Sequence, residues 1–280
     1  MIIFAPAGKP DSYGNRRFPE DLPEYLAGFG LNGFELSCGR GINISEKTYE
    51  ILPALAKEHN IYLSLHAPYF ISLSGEKQET RQKSAEYILQ AAQAAHRLGI
   101  ERIIVHSGSC AKISRETAFD YAKETLLTAL EMLRHERLAV KICPETMGKI
   151  NQLGTLEEVI ELCKLDESFL PCVDFGHFNA RTHGGIKTKQ DYAKIFDVLE
   201  NKLGNERVKN LHIHFSKIEY STGGEKKHLT FADNTFGPDF EPLLEIIAER
   251  GYEPVIVCES NGTQAEDAAE MREYYENLCN

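Results

Sequence analysis

The 280-residue sequence predicts one α/β domain, residues 1–280, folded as a (β/α)8 TIM barrel. Short apolar, β-branched runs alternate with longer amphipathic stretches from end to end. Eight such runs occur, and no linker, low-complexity tract or change of composition divides the chain.

In order, the strand-like runs are MIIFAP at the start, GFELS (33–37), IYLSLHAP (61–68), RIIVHSG (102–108), LAVKICPET (138–146), LPCVDF (170–175), VKNLHIHFS (208–216) and PVIVCES (254–260). Helix-like stretches lie between them, the longest at 76–99 and 114–136. In the second, Phe119, Ala122, Leu126, Leu127, Leu130 and Leu133 recur at three- and four-residue steps, which is one face of a helix. Ser45, Ser114 and Thr155 stand where helices should begin, each followed by Glu within a few positions. Gly99 and Gly251 stand where helices should stop. The longest irregular pieces, 6–19, 177–188 and 217–238, all follow strands, where a barrel carries its functional loops. A doubly wound open sheet is the alternative; no GxGxxG opens the first helix, which counts against its dinucleotide-binding form.

Hydrophobic content of 42% and charged content of 26% are ordinary for a globular protein. A formal charge of −11 argues against a surface that coats nucleic acid generally, and leaves room for a local cleft that differs. Seven cysteines form no CxxC pair and sit mostly in apolar runs, as Cys143, Cys172 and Cys258 do, which fits reduced thiols. The first ten residues lack the charged n-region and apolar core of a signal peptide, and no run approaches the length of a membrane span. The expectation is a soluble, cytoplasmic monomer without a membrane partner.

Chemistry is carried by the ends of the runs. The third ends in His66, the fourth in His106 and the fifth in Glu145. The sixth ends in Asp174, with His177 three residues on; the seventh contains His212 and His214, and the eighth ends in Glu259. In a barrel these ends converge on one face, so the side chains can meet. Imidazoles and carboxylates without thiolates suit a catalytic site for zinc, manganese or iron(II) rather than a structural zinc site. The set is large enough for two ions, with Glu145 able to bridge them. Any one of these histidines alone would more often be a satisfied core or cap residue. His59, His96 and His135 lie on helical stretches and are expected to be solvated.

The ordered set HAPYFISL (66–73), VHSG (105–108), ET (145–146), DFGH (174–177), HIHFSK (212–217), His228 and ES (259–260) resembles the endonuclease IV family, metal-dependent apurinic/apyrimidinic endonucleases on a TIM barrel. The resemblance runs through nearly the whole chain. It implies one zinc on His66, His106 and Glu145, and a second on Glu145, Asp174, His212 and Glu259. His177 and His228 match ligands of a third. There the sequence departs from the family, because GGEKKH (223–228) puts Lys226 where an Asp belongs. Glu225 is a substitute ligand, or the third site is lost, or Lys226 contacts phosphate. Manganese is the alternative to zinc. Tyr69, Phe70 and Arg40 match side chains that the family inserts into DNA at the lesion; without the resemblance they read as loop aromatics and a solvated charge. The activity implied is hydrolysis of double-stranded DNA 5′ to an abasic site, with Glu145 and Glu259 orienting the attacking water. Lys217 is a candidate phosphate or supporting group, and His214 is expected to be buried and structural.

Two other readings remain. Sugar isomerases and epimerases on the same barrel hold one divalent metal with Glu, Asp, His and Glu, which Glu145, Asp174, His212 and Glu259 fit equally well. The acidic charge favours that reading, whereas His66 and His106 favour a multinuclear site. A barrel that binds metal without catalysis is the third.

Overall fold

A computed structural model describes residues 1–279. The strands are β1 (Ile3–Pro6), β2 (Gly33–Ser37), β3 (Tyr62–His66), β4 (Arg102–His106), β5 (Lys141–Glu145), β6 (Cys172–Asp174) and β7 (His212–Phe215). A hairpin of β8 (Ile218–Ser221) and β9 (Gly224–His228) follows, and β10 (Val255–Cys258) is last. Eight of them, all but the hairpin, form one parallel sheet in the order β1-β10-β7-β6-β5-β4-β3-β2. A bridge between Ala7 and Glu35 and the Gly8 N–H to Glu35 carbonyl bond, 2.8 Å, join β1 to β2 and bring the sheet round into a barrel. Strand order follows chain order with no switch point, so the open doubly wound sheet is excluded.

Outside the sheet lie α1 (Leu22–Gly28), α2 (Glu46–Glu58), α3 (Gln78–Arg97), α4 (Arg115–His135) and α5 (Leu156–Cys163). They are followed by α6 (Phe175–Arg181), α7 (Lys189–Leu203), α8 (Asn205–Lys209), α9 (Glu241–Arg250) and α10 (Gln264–Cys279). The expected starts hold: Ser45 and Ser114 accept from the backbone of Thr48 and Thr117, and Thr155 with Glu158 forms a capping box. Among the described residues, no helix is long and apolar enough to cross a membrane.

Because strand side chains alternate, each strand divides its residues between two cores. Ile103 and Val105 pack outward in the large cluster between sheet and helices, while Ile104 packs inside with Cys143, Leu170 and Cys172. Ala5, Val255 and Val257 fill the other side of the interior. Gly33 is needed there: a Cβ would lie 2.5 Å from Ile3 Cγ2. The interior is therefore a packed plug with its polar end at the C-terminal face.

Two stretches expected to be irregular are ordered. Within 177–188, α6 begins directly after β6, because Asp174 caps it by accepting from the His177 N–H at 2.7 Å. Within 217–238 the β8–β9 hairpin forms. It is polar on its exposed side and so lacks the apolar alternation that marks a strand.

Candidate metal centre

Strand register decides which side chains reach the C-terminal face together. His106 pairs with Glu145 across β4–β5, and Asp174 pairs with His214 across β6–β7. His212, two residues earlier, pairs with Cys172 one layer deeper.

Glu145 is at the centre. It is buried, and four imidazoles surround its carboxylate. His66 Nε2 and His106 Nε2 lie 3.4 and 3.3 Å from Oε2, while His214 Nδ1 and His177 Nδ1 lie 3.1 and 3.4 Å from Oε1. Oε2 makes no aligned hydrogen bond, and neither does the buried Oδ2 of Asp174. Ligands about 2.0–2.2 Å from a tetrahedral ion sit roughly 3.4 Å from one another, so these separations suit donors grouped around a cation. Orphaned buried carboxylate oxygens facing imidazole nitrogens are the donor chemistry of zinc or manganese, and the residues fit such ions.

Three groups of ligand atoms converge at the face of the barrel: His66, Glu145 and His214; Glu145, Asp174, His214 and Glu259; and His177, Glu225 and His228. Three of the imidazoles have one nitrogen engaged. His66 Nδ1 donates to the Ala67 carbonyl at 2.8 Å and His177 Nδ1 to the Thr146 carbonyl at 3.0 Å, so Nε2 of each is free to ligate. His228 Nδ1 meets Ser216 Oγ at 2.8 Å. Electrostatics favour the same roles. Burial is the largest effect on Glu145 and would raise its pKa, but His214, His177 and His66 outweigh it and hold the carboxyl well below the usual range. Burial pushes His106 down to about 3, leaving it neutral. For His177 burial acts downward, yet Asp174, Glu145 and Glu225 raise it well above an ordinary imidazole.

The hairpin completes this face. The Glu225 N–H donates to the Gly148 carbonyl at 3.1 Å, and a Cβ on Gly148 would meet Glu225 Cβ at 2.6 Å. That close approach sets Glu225 Oε2 3.4 Å from His177 Nε2. Above the centre Tyr69 stacks on His106, ring centroids 5.3 Å apart, and Tyr69 and Phe70 are 55% and 50% exposed. Tyr69 borders two cavities. One, about 440 Å³, holds His66, His106, Glu145, His177 and Glu259; the other, about 600 Å³, is lined by Phe18, Leu36, Lys9 and the exposed Arg40.

Several sequence assignments change. His212 is not beside the other expected ligands: its Nε2 lies 3.0 Å from Glu35 Oε2, beneath the centre, and His214 occupies the position expected of it. Both face inward because they are two apart; only register tells which is at the top. Lys226 points out of the site and pairs with Glu219, so its assignment to substrate is not supported by its placement; Glu225 joins His177 and His228. Lys217 Nζ turns to the Asp233 carbonyl, 2.7 Å away. His59, His96 and His135 are exposed. Glu35 was missed altogether; the signal was a lone acid inside the apolar run GFELS.

The profile of the xylose isomerase-like TIM barrel family matches residues 23–278. The chain belongs to that family. It is 32% identical over 260 residues to an uncharacterized protein of Methanocaldococcus jannaschii, covering 93% of this chain and 92% of that one. It is 29% identical over 245 residues to a protein of Ureaplasma urealyticum named "Probable endonuclease 4", covering 81% and 75%. Among solved structures, a D-tagatose 3-epimerase-like protein superposes with a TM-score of 0.75 over 99% of this chain and 98% of that one, at 21% identity. That last likeness is one of fold.

Proposed function

We propose that the protein is a metal-dependent phosphodiesterase, an endonuclease that cleaves double-stranded DNA 5′ to abasic sites. The observation that carries this reading is the position of Glu145, with imidazoles that can ligate on both sides of its carboxylate: His66 and His106 at Oε2, His214 at Oε1. A one-metal site has no use for donors on both sides.

In this reading His66, His106 and Glu145 hold one ion, Glu145, Asp174, His214 and Glu259 a second, and His177, Glu225 and His228 a third. Divalent ions bound there supply Lewis acidity at a phosphoryl oxygen and neutralise charge that develops on the phosphate. Glu145 and Glu259 accept hydrogen bonds from the attacking water at their carboxylate oxygens and aim it at phosphorus. Tyr69, which borders both cavities, and its neighbour Phe70 are about half exposed and suited to stack against bases beside a gap, with Arg40 on the neighbouring cavity wall.

A second reading, a single-metal ketose isomerase or epimerase, is favoured by one observation: Glu145, Asp174, His214 and Glu259 form a compact group on their own. The two are separated by nicking of a labelled duplex with one synthetic abasic site, using zinc- or manganese-loaded protein beside His66→Ala and Glu145→Ala. Cleavage 5′ to the lesion, lost in both variants, supports the nuclease. Metal-loaded protein that leaves the duplex intact but interconverts ketoses moves the assignment to the epimerase.

A further inference from the structure

We propose that Glu35 is a positioning residue, which holds the Nε2 side of His214 so that Nδ1 is presented to the metal centre. Glu35 lies in the middle of β2 with its side chain inside the barrel, fully buried beneath the centre. Its Oε2 accepts from Ser64 Oγ at 2.8 Å and lies 3.0 Å from His212 Nε2. Its Oε1 faces His214 Nε2 at 3.2 Å. Neither atom makes an aligned hydrogen bond to any other group, and the buried Cys172 is another polar neighbour of the ring.

The other edge of the His214 ring looks upward. Nδ1 is 3.1 Å from Glu145 Oε1 and 3.5 Å from Glu259 Oε1. A carboxylate against one nitrogen of an imidazole keeps the proton there, frees the second nitrogen to ligate, and fixes the plane of the ring. Ser64 and His212 fix the carboxylate in turn. His212 is thus a brace for Glu35 at one remove from the ions, which gives the buried HIH pair two separate jobs.

Stability alone does not account for this arrangement. A buried carboxylate–imidazole cluster is commonly no more stable than apolar residues of similar volume. The barrel uses such residues at interior positions nearby, as in Ile104, Cys143 and Val257. The inference rests on the metal-centre part of the proposed function, common to nuclease and epimerase, and is independent of the substrate.

The test uses the full chain, stripped of metal and titrated with zinc against a competing chelator, with nitrogen-15 spectra of the histidine rings. Glu35→Gln keeps the volume and removes the charge. It is expected to weaken one zinc per chain by about 10- to 100-fold, the usual effect of losing a partner behind a ligand. The thermal midpoint of the metal-free variant serves as the folding control. In the wild-type protein, neutral His214 is expected to carry its proton on Nε2, a readout that stands even where the variant does not fold. A folded Glu35→Gln with unchanged zinc affinity, or wild-type His214 protonated on Nδ1, overturns the proposal. So does a variant that only melts earlier. Wild-type protein that binds zinc tightly but cleaves no abasic DNA leaves the role of Glu35 standing and removes only the nuclease.

Discussion

Two levels of one barrel interior, two residues apart on the same strands, have opposite characters. At the lower level Ile104, Cys143 and Cys172 pack as an apolar cluster; at the upper level the same strands carry His106, Glu145 and Asp174. Polar groups reach the lower level on β2, β3 and β7, through Glu35, Ser64 and His212. The difference shows that backbone and periodicity are shared between stability and chemistry, and that the division runs across the strands rather than between them.

Substitutions at the two levels should therefore separate. Glu145→Ala, at the top, removes a carboxylate shared by two ligand sets. It is expected to lose at least one ion per chain, measured by elemental analysis, and several kcal/mol of transition-state stabilisation, about 10³-fold in rate. Ile104→Ala, at the bottom, is expected to cost about 2–5 kcal/mol in denaturant unfolding while bound metal stays the same. Loss of metal in Ile104→Ala without unfolding would break the comparison.

Smaller effects sharpen it. His66 and His177 are raised in the metal-free protein: burial lowers both, but Glu145 raises the first and Asp174 the second. Protons then compete with metal from above the ordinary imidazole value, so zinc affinity should fall as pH drops toward and through the ordinary imidazole range. Chelator titrations at several pH values would reveal a flat profile if these rings do not ligate. Glu225→Gln should weaken only the ion nearest the hairpin, leaving the others bound. Lys226→Ala, exposed and paired to Glu219, should change neither metal content nor rate.

Much of the barrel was legible because its signals are local. Alternation sets strands, Ser45, Ser114 and Thr155 start helices, and six strand ends carry ionisable groups. What was hidden depends on register. His212 and His214 both point inward, and only the pairing of β7 with β6 lifts His214 to the level of Asp174. Glu35 was hidden for a related reason: it sits within a strand rather than at its end, and its partners are 29, 177 and 179 residues away in sequence as Ser64, His212 and His214. The role of Glu225 in place of Lys226 follows from a glycine contact, Gly148 against the hairpin, that no spacing rule encodes.

The most direct test of the central claim is the position of the metal ions themselves, by anomalous diffraction from zinc- or manganese-loaded crystals. The account predicts one ion held by His66, His106 and Glu145, a second by Glu145, Asp174, His214 and Glu259, and a third at His177, Glu225 and His228. A single ion on Glu145, Asp174, His214 and Glu259, with His66 and His106 unligated, would contradict it and point to ketose chemistry.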